Sequence, residues 1–200
     1  MTAVSPPRAV GPLAVLDAAV VWTHDRLQQA RTADVGAPTP CSGWDLGDLL
    51  THMEDSLAAL GEAALGVVAL DGPPPEPSRD TGVLLDRVVR RACELRARWH
   101  TLPSRFSRAP VEVDVLALDR DTLALVGALE VAVHGWDVGV AAGTPLRPPE
   151  DLAARLLPVA RQVVPEEERG GRFGPAVAPY DTSAAARLLA HLGRTETAAS

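Results

Sequence analysis

The feature that most constrains this chain is the stretch from Leu123 through Ala142, apolar on nearly every side yet carrying Glu130 and His134 near its middle. An apolar stretch of that length reads as a buried helix. A carboxylate buried there without a partner is costly. On a helix, residues four apart project from one face, so Glu130 and His134 would stand one above the other and could hold one ion between them. Gly127, one turn before Glu130, would let another helix or a ligand approach closely, and Asp119 or Asp121 supplies the cap that starts the helix.

Three further helices are predicted to surround it. Leu13, Leu16, Val20, Val21 and Leu27 fall close to helical spacing over 13–29, with His24 beside the stripe. Leu46, Leu49, Leu50, Met53, Leu57 and Leu60 form a second stripe, with Ser42 and Asp45 read as its capping box; His52 lies on its margin. Leu84, Leu85, Val88, Val89, Ala92, Leu95 and Trp99 give a third over about 81–101, leaving Arg87, Arg90, Arg91 and Arg96 as a solvated face and Cys93 in or beside the core. Proline-rich connections separate these helices, at 37–43 and 71–78. Val111, Val113 and Val115 alternate with Glu112, Asp114 and Leu116, a two-residue period that suggests an extended arm or lid across the bundle mouth. A shorter helix over 150–164, a solvated acidic turn at 166–168, an extended return at 173–177 and a last helix over 183–193 follow. The expected organisation is one domain: a core bundle over 12–143, a C-terminal extension over 144–194, and disordered ends at 1–10 and 195–200.

Composition narrows the partners. A net charge of -7 argues against nucleic acid and anionic membrane, which require clustered basic side chains. Two cysteines, Cys41 and Cys93, form neither a disulfide framework nor a short metal motif. No secretory leader is evident in the first ten residues, and a reduced cytoplasm is the expected compartment. Cys41, just before the second helix, could have its thiol activated by free backbone N–H groups there, or simply pack in a tight loop.

Two histidines and one carboxylate, His52, Glu130 and His134, suffice to bind zinc while leaving a coordination position open. The same donors accept iron or nickel. Glu-x3-His with a distant histidine recurs by chance in helical proteins, so spacing alone leaves the metal an open question. Asp137 is placed to accept the other ring N–H of a ligand histidine, or to sit exposed.

The run Thr39-Pro40-Cys41-Ser42-Gly43-Trp44-Asp45-Leu46-Gly47-Asp48-Leu49-Leu50-Thr51-His52 resembles the signature of the mycothiol-dependent maleylpyruvate isomerase N-terminal domain family, metal-binding members of the DinB-like four-helix bundles. Glu130 to Asp137 resembles that family's second motif. Phe173-Gly174-Pro175 and the closing Leu192-Gly193-Arg194 resemble the tail of its single-domain branch. The resemblance implies an all-α DinB-like four-helix bundle with long connections and a short C-terminal helical extension. It implies His52, Glu130 and His134 as metal ligands, a divalent ion usually taken to be zinc, and mycothiol as thiol cosubstrate.

The expected function is therefore a thiol S-transferase or isomerase acting on a small electrophile, in detoxification or natural-product biosynthesis, as a monomer or homodimer. Maleylpyruvate isomerases similar to this family carry an additional C-terminal domain for which 200 residues leave no room, so maleylpyruvate itself is not the expected substrate. Two alternatives use the same pocket: a hydrolase or cyclase, for which Asp45 and Asp48 are the candidate bases, and a non-catalytic metal-binding bundle in which a fourth ligand such as His24 closes the site.

Overall fold

The computed structural model describes residues 11–68, 76–101, 111–113, 116–165, 169 and 173–195. Along the chain run α1 (Pro12–Gln29), α2 (Leu46–Ala63), β1 (Val67–Val68), α3 (Thr81–Thr101), β2 (Val111–Val113), β3 (Leu116–Leu118), α4 (Arg120–Ala141), α5 (Glu150–Val163) and α6 (Ala184–His191). The first four helices close a ring. α1 packs along α4, α4 against α2, α2 along α3, and α3 more loosely back onto α1. α5 and α6 pack on each other, and α5 lies against α4 and α1. Leu152, Leu156, Leu188, Leu189 and Leu192 join the same hydrophobic cluster as Leu16, Leu49, Leu50, Leu85 and Leu95.

α4 is the central element, as its apolar sequence requires. It is 22 residues long, and its most apolar window is 72% buried inside the fold, so neighbouring helices cover a surface that would otherwise demand an apolar solvent. Asp119 caps it, its side chain accepting from the Thr122 N–H. At Gly127 a Cβ atom would stand 2.9 Å from Leu60 Cδ1, so the missing side chain lets α2 close on α4, which sets the spacing of the two helices that carry the histidines.

α2 begins three residues later than the proposed Ser42 box. The cap is Asp45, which accepts from the Asp48 N–H while Asp48 accepts from the Asp45 N–H. The displacement follows from the loop. Thr39 donates its N–H to Trp44 O, and Leu46 donates to Ala37 O; this pairing folds residues 40–43 into a turn and leaves Asp45 as the first residue free to cap. Arg79 then clamps Asp45 with two guanidinium bonds, at 2.6 and 3.2 Å.

Val111 and Val113 lie in β2, extended as their spacing suggests, whereas Val115 lies outside the described residues. β2 pairs antiparallel with β3 and parallel with β1. The acidic turn at 166–168 and part of the proline-rich connection at 71–78 lie outside the described residues. Two sequence expectations for α3 need correction. Arg87 and Arg91 do not simply face water: they flank Glu54, 3% exposed on α2, with nearest separations of 4.0 and 3.8 Å, since a buried carboxylate draws positive charge to it. Cys93 is exposed because its place on α3 falls between the core stripe and the solvent face.

Candidate metal centre

α2 and α4 bring three side chains to one point. Glu130 Oε1 lies 2.7 Å from His52 Nε2 and 3.3 Å from His134 Nε2. Ser56, one turn after His52, donates its hydroxyl to the same Oε1 at 3.2 Å. The i,i+4 geometry of α4 delivers Glu130 and His134 as a stacked pair, and the close α2–α4 packing delivers His52 from across the seam. One donor atom from each of His52, Glu130 and His134 lies within 4.8 Å of the others. The His52 and His134 rings meet edge to face, centroids 5.0 Å apart.

The cluster opens to solvent on the His52 side. The His52 side chain is 35% exposed and that of Glu130 32%, against 10% for His134. Trp44, itself partly exposed, leans over the opening with its ring 4.8 Å from that of His52.

Behind the cluster the environment is dry and charged. Asp137 is fully buried, and its Oδ2 takes the Nδ1–H of His134 at 2.9 Å. A carboxylate can only accept here, so the proton sits on Nδ1 and the remaining nitrogen, Nε2, is turned toward Glu130. Arg194, from the turn that ends α6, reaches Asp137 with both prongs, Nη2 to Oδ2 at 2.7 Å and Nε to Oδ1 at 3.2 Å. Its Nη1 is bonded to Leu192 O at 2.9 Å. Cys41 Sγ also lies here, 3.3 Å from Asp137 Oδ2 and 3.4 Å from Arg194 Nη2.

The charge states follow from these contacts. Burial works against ionisation of Glu130, but hydrogen bonds from His134 and His52 hold its carboxyl well below the usual carboxylate range. Burial likewise opposes the imidazolium of His134, but its bonds to Asp137, Cys41 and Glu130 keep its pKa well above the ordinary value. For Asp137, burial is outweighed by His134 and Arg194, and its pKa is lowered. In the absence of an ion, a proton on His134 Nε2 bridges to Glu130.

The donor set fits a divalent cation. Two imidazole nitrogens and one carboxylate oxygen are the ligands borderline cations favour, the buried histidine has its outer nitrogen fixed by a carboxylate as metal-ligating histidines do, and access remains on one side. A second group of ligand-type atoms, on Cys41, His134 and Asp137, does not fit. The Arg194 guanidinium already fills that space and would repel a cation.

The sequence-derived candidates thus divide. His52, Glu130 and His134 converge, and Asp137 stands directly behind them. Asp45 and Asp48 cap α2, with Asp45 engaged by Arg79, and neither belongs to the convergent group. His24 is exposed on α1, where it bonds with Gln28 at 3.3 Å. Sequence reasoning missed Arg194 as part of the site and did not place Cys41 against Asp137. Arg194 is contributed by a turn 57 residues beyond Asp137, and no periodic pattern links the two.

Comparison with known proteins places this geometry in context. The family model for the mycothiol maleylpyruvate isomerase N-terminal domain matches residues 16–139. Two uncharacterised proteins of Mycobacterium tuberculosis, from strains CDC 1551 / Oshkosh and ATCC 25618 / H37Rv, are each 26% identical over 186 residues, spanning 88% of this chain and 97% of the relative. Among solved structures, the mycothiol-dependent maleylpyruvate isomerase superposes with a TM-score of 0.60 at 14% identity, covering 78% of this chain and 69% of that one. A histidine-to-alanine mutant of that enzyme superposes with a TM-score of 0.56 at 13% identity over the same shares. At these identities the superpositions show a shared fold.

Proposed function

The chain belongs to the mycothiol maleylpyruvate isomerase N-terminal domain family, and from that premise we propose that it is a divalent-metal-dependent, mycothiol-dependent enzyme that works on a small electrophile. The observation that carries the reading is the convergence of His52 Nε2, His134 Nε2 and Glu130 Oε1 at a point open on one side. His52, Glu130 and His134 would hold the cation. When bound, the cation supplies a Lewis-acidic position at which a thiol, mostly protonated at neutral pH with a pKa of about 8.5, is held as thiolate.

The chain's own residues prepare that position. Asp137 fixes the tautomer of His134, so the Nε2 lone pair is presented once its proton leaves. Arg194 keeps Asp137 ionised inside the dry region behind the cluster, where an unpaired carboxylate would take up a proton instead. Ser56 holds Oε1 of Glu130 in place through its hydroxyl. Trp44 covers one flank of the opening and offers an apolar aromatic face to whatever enters. The thiolate sulfur adds to the electrophilic carbon of an activated alkene, so that a C–S bond forms as the π pair moves onto the activating group, and a proton completes the thioether. Loss of the thiol after bond rotation makes the outcome isomerisation, and retention makes it S-transfer.

Two features favour this reading over its alternatives. A hydrolase needs a base beside the open position, and Asp45 is instead engaged as a helix cap and by Arg79. A closed structural site needs a fourth ligand, and His24 is exposed on α1 rather than in the cluster.

The test is metal analysis of the purified protein, followed by incubation of the metal-loaded protein with mycothiol and a panel of activated alkenes and other small electrophiles. We expect about one divalent ion per chain and a thiol-dependent product, detected by mass as a thioether or as the isomerised substrate. Failure to bind a divalent ion at micromolar concentration, or turnover that is indifferent to the thiol, overturns the reading.

A further inference from the structure

The helical ring has one loose seam. Between α1 and α3 a pocket of about 250 Å³, open to solvent on its outer side, lies against the bundle core. Val20 and Leu27 of α1 and Val88 of α3 line its walls, and Met53 and Leu57 of α2 with Val131 of α4 line its floor. Met53 and Val131 are the next residues after His52 and Glu130. One position along a helix is a turn of about 100°, so the cavity and the metal cluster use different faces of the same two helices. None of His52, Glu130, His134 or Asp137 lines the cavity.

Two of the polar groups around it have partners of their own. Thr23 gives its hydroxyl to Val131 O at 2.9 Å. At the mouth, Arg96 donates Nε to Asp17 at 2.8 Å, and His24 Nδ1 faces the Asp25 carboxylate at 3.8 Å. The charged side chains of the lining, Asp25 and Arg96, are solvent-exposed at its rim, so the inner walls are mainly aliphatic. An enclosed dry apolar cavity of about 150 Å³ accommodates benzene; the pocket here is larger and open on its outer side, which leaves room for a two-ring hydrocarbon or a group of similar bulk.

We propose that the α1–α3 cavity is a binding site for a small neutral apolar molecule of about two-ring size, separate from the metal cluster. This assignment does not depend on the proposed thiol chemistry. The occupant is neutral because a carboxylate or ammonium would have to leave water for inner walls that are mainly aliphatic and offer it no partner. It is small because the mouth, flanked by His24, Asp25 and Arg96, opens onto walls that pack as core elsewhere along α1 and α3.

Cys93 provides the readout, since it lines the cavity and is exposed, whereas Cys41 is outside it. With naphthalene as probe, we expect saturable binding to the full-length protein with a Kd on the order of 0.1 mM, and slowing of Cys93 alkylation by N-ethylmaleimide several-fold with Cys41 unaffected. Naphthoate, of the same shape but charged, should bind at least tenfold more weakly. Ala92→Phe places a ring in the cavity and should abolish both binding and protection; Val89→Phe, on the same wall, serves if that variant does not fold. Metal content and thiol-dependent turnover are measured separately, so loss of either leaves this test intact. The proposal is overturned if naphthalene does not protect Cys93, if naphthoate binds as well as naphthalene, or if both folded Phe variants bind like the wild type. It is also overturned if Cys93 is protected in the absence of probe as protein concentration rises, because a second copy of the chain would then be the occupant.

Discussion

Arg194 holds Asp137 through two parallel bonds, Nη2 to Oδ2 at 2.7 Å and Nε to Oδ1 at 3.2 Å, and both side chains are buried. The pair ties the turn that follows α6 to the C-terminal part of α4, directly behind His134. Breaking a buried pair by removing one partner leaves an uncompensated charge, at a cost of about 3–5 kcal/mol. Arg194→Ala and Asp137→Asn should therefore each lower the chemical-denaturation midpoint strongly. The two changes combined should cost clearly less than their sum, because the double variant strands no charge. Additive losses would show that the pair is not the unit proposed here.

Asp137→Asn carries a second expectation. It replaces the charged acceptor that fixes the His134 ring by a neutral amide with one oxygen, for which Arg194 also competes, and loss of such a partner typically weakens metal affinity by about 10–100-fold. Competition titration against a chromophoric chelator measures this directly. An unchanged affinity would mean that Asp137 serves the fold alone.

Direct removal of the donors should be more severe. His134→Ala and Glu130→Gln are expected to bring metal content below a tenth of the wild-type stoichiometry, and with it all thiol-dependent product. His52→Ala should do the same with the smallest effect on folding, because the His52 side chain is 35% exposed and leaves no sealed cavity. Elemental analysis and circular dichroism on each variant separate loss of the ion from loss of the fold.

The ion-free cluster should respond to pH in two directions. His134 has a raised pKa, so its contribution to stability is complete below its unfolded value of about 6.5 and is lost as pH rises through the folded value. Glu130 has a lowered pKa, so its contribution is complete above its unfolded value of about 4.3 and is lost as pH falls through the folded value. The chelator-treated protein should thus gain most from this cluster between about pH 4.5 and 6.5. Binding a cation requires the proton on His134 Nε2 to leave, so affinity should rise by up to about tenfold per pH unit until that proton is gone. Thermal shifts induced by the divalent ion across pH 5.5 to 8.5 test the sign; a shift that shrinks as pH rises would contradict it.

What the sequence made readable is instructive here. Glu130 and His134 could be paired because a helix repeats every 3.6 residues, and His52 could be joined to them through the motif that precedes it. The four core helices were legible as apolar stripes between proline-rich breaks, and their arrangement as a four-helix bundle came from the family resemblance. Arg194 could not be found that way, since its partner lies on another helix and its chain neighbours show no periodicity. The cap at Asp45 was misplaced by three residues because backbone pairing between 37–39 and 44–46 decides where α2 starts, and such pairing leaves no mark in composition. Cys93 and the α1–α3 cavity depend on how tightly two helices close, which hydrophobic spacing alone does not specify.

Helix closure at the seam on the other side of α4 yields the last prediction. A Cβ atom at Gly135 would fall 2.4 Å from Thr23 Oγ1 and 2.9 Å from its Cγ2, while that hydroxyl is bonded to Val131 O at 2.9 Å. Gly135→Ala must therefore force α1 away from α4 or break the buried hydrogen bond. Overpacking of this kind costs about 1–3 kcal/mol, although alanine's better helix propensity returns up to about 1 kcal/mol. A net loss is expected, because both routes to relief disturb the longest helix–helix contact in the ring and a buried donor. Thr23→Ala removes the clashing atoms, so Gly135→Ala should be much less harmful in that background, with a coupling of about 1–2 kcal/mol. Urea denaturation of the four proteins in the cycle measures it, and zero coupling would show that α1 yields at Gly135 by some other movement.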